Sequence, residues 1–276
     1  MLDVLLGIAR DASRVVLEVY ETAFQVEYKS PRDPVTQADA RANALIVAAL
    51  ARAFPGVPCV AEESRPEEFA EFRRSERVFF VDPLDGTREF VDRNGEFVVM
   101  IGLLEGDRAT HGVVLAPVSG LAYCGEVGRG AFVVDAAGAR TPLVVSPADT
   151  LALARLVVSR SHRDAAIDRV LAALGVAECR ALGSAGLKGA EVARGAAEGY
   201  LSPRHAGKRW DVCAVDALVT AAGGRVTDAF GVPIDYRADS LVNDRGLVVS
   251  NALLHEGMVE RLRAALDLHP LEKQSG

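Results

Sequence analysis

Apolar residues recur at helical spacing from the second position onward. Leu2, Leu5, Leu6, Ala9, Ala12, Val16 and Val19 fall on one face, which predicts an amphipathic helix over residues 2 to about 24. Lys29-Ser30-Pro31-Arg32-Asp33-Pro34 then reads as a turn. A second helix is predicted from about Gln37 to Phe54, with Ala42, Leu45, Ile46, Ala49, Leu50 and Ala53 on one face and Pro55-Gly56 as its stop. Thr36 followed three residues later by Asp39 resembles a capping box at its start.

The middle of the chain changes to short apolar runs. Val78-Phe79-Phe80-Val81 predicts a buried strand that ends at Asp82-Pro83. Phe97 to Leu104, Thr110 to Val118, Leu121 to Glu126 and Ala131 to Val134 predict further strands, separated by glycine-containing turns short enough for an antiparallel meander. Past about residue 150 the pattern alternates. Leu156-Val157-Val158 and Val248-Val249 read as strands, and Ala165 to Leu174, Ala190 to Ala197 and Asp211 to Ala222 as helices, which is α/β grammar. With no internal repeat and no low-complexity linker, residues 1–150 and 151–276 are expected to be two halves of one unit.

Composition narrows the class. Half of the 276 residues are apolar and a quarter are charged, the balance of a soluble globular chain with a sizeable core. The apolar run Ala44 to Leu50 falls far short of the roughly 20 residues that span a bilayer. The N-terminus has no basic segment before its apolar residues and carries Asp3, unlike a secretory signal. Cys59, Cys124, Cys179 and Cys213 are widely separated, without a CxxC pair, and read as reduced thiols of a cytoplasmic protein. Peripheral contact with the inner membrane face stays open, as does the choice between monomer and homodimer. No cysteine- or serine-based phosphatase motif is read. The net charge of -7 argues against a long nucleic acid as partner. It also raises the question of whether carboxylates crowd somewhere that a cation neutralises.

The stretch Asp82-Pro83-Leu84-Asp85-Gly86-Thr87 is the most informative. Two aspartates leave the end of a buried strand, Pro83 fixes the backbone between them, and Gly86 permits a tight turn. If a helix starts there, the Gly86 and Thr87 amides are free for an anion. Hard cations such as Mg²⁺ want oxygen ligands, which Asp82, Asp85 and the Leu84 carbonyl supply. Taken alone, the segment also fits a surface turn. Glu62-Glu63-Ser64 after an apolar run could be solvated, Asp39 could be a capping residue, and Asp211 after Trp210 could be an N-cap.

Their joint occurrence is another matter. Asp33 to Asp39, Glu62-Glu63-Ser64, Asp82 to Thr87, and Trp210-Asp211 followed by Ala221-Ala222-Gly223-Gly224 resemble the inositol monophosphatase superfamily of Mg²⁺-dependent phosphatases over roughly residues 5 to 265. The resemblance implies a layered α/β/α/β/α sandwich of the inositol monophosphatase/fructose-1,6-bisphosphatase type. It implies two or three Mg²⁺ ions held by Glu62, Asp82, the Leu84 carbonyl, Asp85 and Asp211. Asp39 and Thr87 would orient the attacking water, with Gly86, Thr87 and Asp211 against the substrate.

A second layer of motifs bears on the substrate. Glu89-Phe90, Arg93 to Phe97, Ser159-Arg160-Ser161-His162, Ser184 to Lys188 and Lys208-Arg209 resemble the 3'(2'),5'-bisphosphate nucleotidase branch, which acts on 3'-phosphoadenosine 5'-phosphate. That resemblance implies nucleotide contacts from Arg160, His162, Ser184 and Lys188, with Arg204 a further candidate. A second phosphate that is not cleaved needs cationic donors of this kind. Inositol, fructose-1,6-bisphosphate and histidinol phosphates remain alternatives on the same metal core. A non-catalytic metal- or nucleotide-binding regulator is a third reading, and the intact set Asp39, Glu62, Asp82, Asp85, Thr87 and Asp211 argues against it.

Overall fold

The apolar stripe at the start of the chain forms α1 (Leu2–Tyr20), with Leu5, Ala9, Ala12 and Val16 fully buried. The computed structural model describes residues 1–30, 33–161, 163 and 165–267. β1 (Val26–Ser30) and β2 (Asp33–Thr36) pair antiparallel and take in Lys29, Ser30, Asp33 and Pro34 of the segment read as a turn. α2 (Gln37–Ala53) starts with the capping box: Thr36 Oγ1 accepts from Ala38 N at 3.1 Å, and Asp39 Oδ2 accepts from Thr36 N at 2.8 Å. Next come β3 (Cys59–Ala61), β4 (Arg77–Asp85), the short α3 (Thr87–Val91), β5 (Val98–Glu105), β6 (Arg108–Ala116), β7 (Leu121–Glu126), β8 (Gly130–Val134) and β9 (Arg140–Leu143). The second half contains β10 (Arg155–Ser159), α4 (Ala165–Leu174), β11 (Glu178–Leu182), α5 (Ala185–Ala193), β12 (Gly199–Ser202), α6 (Trp210–Ala221), β13 (Gly224–Thr227), β14 (Leu247–Asn251) and α7 (His255–Ala265).

Strands β3 to β9 form one sheet in sequence order, β3 parallel to β4 and the rest antiparallel, as the short spacings predicted. Strands β10 to β14 form a second sheet in the order β11-β10-β12-β14-β13, with β10 parallel to both β11 and β12. α1 and α2 cover one face of the first sheet through Ala9, Val16, Ile46, Phe79 and Ile101. α5 and α6 fill the space between the sheets, packing on Phe80 and Met100 from one side and Val157 and Val249 from the other. α4 and α7 close the far face of the second sheet around Val170, Met258 and Leu262. Five layers, α/β/α/β/α, result.

Several elements differ from the sequence reading. α5 starts five residues before the helix expected at Ala190. Ser184 caps it, accepting from Leu187 N at 3.1 Å, and Gly186 and Gly189 mask the helical pattern. β11, β13 and α7 were not predicted: β11 is half-exposed to exposed throughout, and α7 has only four buried residues to mark its face.

α6 sits closer to the first sheet than intervening side chains would allow. Gly102, Gly112 and Gly125 are cross-strand neighbours on β5, β6 and β7. A Cβ at Gly102 would come within 2.6 Å of Ala214 N, one at Gly125 within 2.6 Å of Leu218 Cα, and one at Gly112 would overlap Ala214 O. The helix backbone thus lies directly on a bare strip of sheet. Within α6, Asp216 Oδ2 accepts from Tyr236 Oη at 2.8 Å and Oδ1 from Thr220 Oγ1 at 3.2 Å. The Tyr236 ring packs on Phe80 at 5.5 Å, tying α6 to β4.

Candidate active site

Strand alternation aims the first carboxylate. Val78 and Phe80 of β4 face α6, so Asp82, two residues on, points to the same side, where it is 2 % exposed. Pro83 has no N–H, and the β4–β5 pairing breaks between Asp82 and Asp85. The freed segment turns back on itself, Leu84 N donating to Asp82 Oδ1 at 2.9 Å. β3 runs parallel beside β4, and Glu62 follows it, its N–H donating to Val81 O at 3.1 Å. The glycine strip places the first turn of α6 opposite both. One oxygen each from Glu62, Asp82 and Asp211 then lie within 4.8 Å of one another.

Three carboxylates at that separation cannot all stay ionised without a counter-charge. Burial, reinforced by Glu62, Asp85 and Asp211, pushes Asp82 well above the usual carboxylate range. Burial and the charges of Glu62 and Asp85 push Asp211 to about 7. Burial also raises Glu62, against Lys29. All-oxygen donors under this strain fit a hard divalent cation, which would relieve the repulsion that protons otherwise relieve. The Asp211 carboxylate is held by Lys208 N at 2.5 Å. Gly207 sits at φ +64°, and a Cβ there would overlap Asp211 Oδ2.

The other residues of the turn are arranged around this group. Asp85 lies outside the close triple; its Oδ2 accepts from the Ser184 hydroxyl and from Gly186 N at 2.7 Å. Gly86 is left-handed at φ +95° and starts α3. Thr87 Oγ1 lies 3.0 Å from Asp39 Oδ1 and 3.1 Å from Leu84 O, so its one proton can serve either acceptor. Asp39 is buried and raised by that burial, although Thr36 N–H and hydroxyl both donate to its Oδ2 at 2.8 Å. Capping box and site therefore share one carboxylate.

The residues assigned to substrate divide. Ser184, at an unusual φ of +52°, gives its hydroxyl to Asp85. Lys188 is not the freely offered ammonium that was expected. It is 3 % exposed, donates to Ser184 O at 2.6 Å and Gly183 O at 3.4 Å, and lies 5.0 Å over the Tyr200 ring. Burial lowers it to about 8 against the pull of Asp85, Glu89, Glu96 and Asp211. Arg160 is exposed but forms a two-pronged pair with Glu96 at 2.6 and 2.8 Å. Arg204 is exposed in the loop between β12 and α6. His162 lies outside the described residues.

Sequence reasoning missed Lys29, whose ammonium reaches Glu62 at 3.2 Å and also Glu63. Those two carboxylates outweigh its burial and hold it above the usual lysine range. Its place on β1 was hidden because that segment read as a turn. Cys59 and Arg65 do stand at the C-x5-R spacing of cysteine phosphatases, contrary to the reading of no such motif. Burial pushes the Cys59 thiol up to about 12, and Arg65 pairs with Glu68 at 2.9 Å, so no thiolate nucleophile forms there.

A carboxylate cluster seated between two sheets in this five-layer order defines a family. The model of the inositol monophosphatase family matches residues 1–267, and the chain belongs to that family. Among curated relatives, the 3'(2'),5'-bisphosphate nucleotidase CysQ of Escherichia coli strain K12 is 37% identical over 246 residues, covering 86% of this chain and 94% of the relative. Among solved structures, the suhB protein of Bartonella henselae superposes with a TM-score of 0.81 at 27% identity, covering 95% of this chain and 97% of that one. CysQ of Bacteroides thetaiotaomicron, a member of the same family, gives 0.77 at 27% identity, with 91% and 97% covered.

Proposed function

We propose that this chain is a Mg²⁺-dependent phosphomonoesterase that hydrolyses the 3'-phosphate of 3'-phosphoadenosine 5'-phosphate to AMP and phosphate. The observation that carries the proposal is the convergence of Glu62, Asp82 and Asp211 within 4.8 Å of one another, with Leu84 and Asp85 following Asp82 in the same turn. These residues would hold two or three Mg²⁺ ions. Bound there, Mg²⁺ would supply a more acidic water and neutralise charge on the phosphoryl and leaving oxygens.

The chain's own groups do the rest. Asp39 and Thr87, 3.0 Å apart, orient the attacking water, and Asp39, already raised by burial, is suited to receive its proton. The Gly86 and Thr87 amides at the start of α3 offer donors to phosphate oxygens. Arg160 and His162 serve the nucleotide, while Ser184 and Lys188 act in the observed geometry by holding Asp85 and the start of α5. The likeness to CysQ nucleotidases at 37% identity supports the nucleotide over other phosphates. A second reading, an inositol-phosphate or other sugar-phosphate phosphatase, is favoured by the superposition on an inositol monophosphatase of Anabaena sp. PCC 7120, with a TM-score of 0.78 at 27% identity.

The halves 1–150 and 151–276 belong to this proposal as one unit, supported by α5 and α6 packing between both sheets. No helix among the described residues is long and apolar enough to cross a membrane. A cytoplasmic setting belongs to the proposal. Phosphate release with Mg²⁺ from 3'-phosphoadenosine 5'-phosphate, inositol 1-phosphate, fructose 1,6-bisphosphate and histidinol phosphate tests the substrate. Preference for any of the last three would overturn it. Asp85→Asn should abolish turnover while the unfolding transition survives, and near-normal activity would remove Asp85 from the metal set.

A further inference from the structure

Glu89 and Glu96 follow the Asp82–Thr87 turn, and neither has a part in the chemistry above. Glu89 lies on α3, two residues after Thr87, and is 4 % exposed. Its Oε1 accepts the Ser161 hydroxyl. Glu96 holds both prongs of the Arg160 guanidinium and accepts from Gly183 N at 2.6 Å. Asp85 takes Ser184 and Gly186. Three carboxylates from one short stretch of the first half therefore grip both loops that leave β10 and β11.

Those strands are parallel neighbours, and the loops stand at their carboxyl ends, where open α/β sheets place ligands. Packing agrees with the hydrogen bonds: a Cβ at Gly183 would overlap Glu89 Cγ, so the Glu89 side chain lies directly on the bare backbone of the loop after β11. The Lys188 ammonium lies behind them, within the field of Asp85, Glu89 and Glu96. A buried hydrogen bond to a carboxylate is stronger than a neutral one and more directional than packing alone.

We propose that Glu89 is a positioning residue for the leaving-group side of the site, fixing the Arg160–Ser161 loop against α3 so that the loop meets a nucleotide-sized leaving group. The proposal rests on the nucleotidase reading above for the identity of that group. Glu96 acts with Glu89 through Arg160. Glu89 touches no reacting atom, and the step of water attack is left to the residues already named. Losing the tether therefore weakens capture of a large leaving group more than it slows the chemical step.

The test uses the full chain with Mg²⁺ and four variants: Glu89→Ala, Glu89→Gln, Ser161→Ala and the double Glu89→Ala/Ser161→Ala. Glu89→Ala and Ser161→Ala are each expected to raise KM for 3'-phosphoadenosine 5'-phosphate about tenfold, with kcat changed less than about threefold. The double variant should be no worse than either single one, because both remove the same bond. Glu89→Gln keeps an acceptor and should restore KM to within about threefold of the parent. Hydrogen exchange should quicken in the loop after β10 and not in β5 or β6. An unchanged KM in both single variants, factors that multiply in the double, or uniform quickening across the chain would overturn the proposal. If the parent itself ignores 3'-phosphoadenosine 5'-phosphate, the nucleotidase reading fails, and the exchange comparison alone decides the tether. Should Glu89→Ala not fold, Ser161→Ala carries the same expectation from the partly buried side of the bond.

Discussion

Asp216 sits in α6 as a carboxyl away from the carboxylate cluster, and its surroundings decide how stability responds to pH. Burial pushes it up to about 6 from its ordinary 3.8, although the Tyr236 and Thr220 hydroxyls pull the other way. Between those two values the folded chain holds the proton that the unfolded chain has released. The stability it contributes is complete below about pH 4 and is lost as pH rises through about 6. A shift of that size corresponds to ~3 kcal/mol at neutral pH. Asp216→Asn keeps an oxygen for Tyr236 and removes the charge, and its amide can donate to the Thr220 hydroxyl. The variant should be more stable than the parent at pH 8 by about 1–3 kcal/mol, and equal to it near pH 4. For a chain of this length each kcal/mol moves Tm by about 2–4 °C. Urea and thermal unfolding at pH 4, 5, 6 and 8, in the same buffer series, read the difference directly. A variant less stable at pH 8, or a difference that does not change with pH, would refute the reasoning.

Gly112→Ala should destabilise by more than about 3 kcal/mol, because its methyl overlaps the α6 backbone and neither side can yield; a Tm within 2 °C of the parent would contradict that seat. Gly207→Ala collides with Asp211 Oδ2 at a left-handed position, so the Mg²⁺ concentration for half-maximal turnover should rise about tenfold or more, read from a Mg²⁺ titration. Thr87→Ala should lower kcat about 100-fold, and Thr87→Ser, which keeps the hydroxyl, should recover most of it in the same assay. Adding Mg²⁺ at about 100 times its dissociation constant should stabilise the fold by ~2.7 kcal/mol, measured by unfolding with and without chelator, and Asp211→Asn should erase the gain.

Much of this architecture was legible before the structure. Val78 to Val81 and the four runs after it have the period and turn chemistry of an antiparallel meander, and the sheet runs in that order. Thr36 and Asp39 announced a capping box that is present. The acidic residues Glu62, Asp82 and Asp211 were named from their motifs, and long-range packing brings them together. What the sequence could not display is commitment of polar atoms. Lys188 reads as a donor, yet burial over Tyr200 gives its ammonium to two backbone carbonyls. Arg160 reads as a nucleotide contact, yet Glu96, 64 residues away, holds it. Lys29 was obscured by neighbours that look like a turn, and α5 by glycines whose purpose is contact with Val98 and Val215 across the core.

The glycine strip under α6 has a consequence in time. Asp82 and Asp211 are separated by 129 positions. At ribosomal rates of about 5–20 residues per second, roughly 6 to 26 s pass between the synthesis of one and the other. During that interval the first sheet can form its ladder, but the trough across Gly102, Gly112 and Gly125 stands without its helix, and the Asp82 carboxyl is without the Asp211 partner. A nascent chain in that state has a bare apolar furrow and two of the three clustered carboxylates. Arrival of α6 at once fills the furrow and brings Asp211 to Glu62 and Asp82, so the carboxylate triple is completed in one late step and not gradually.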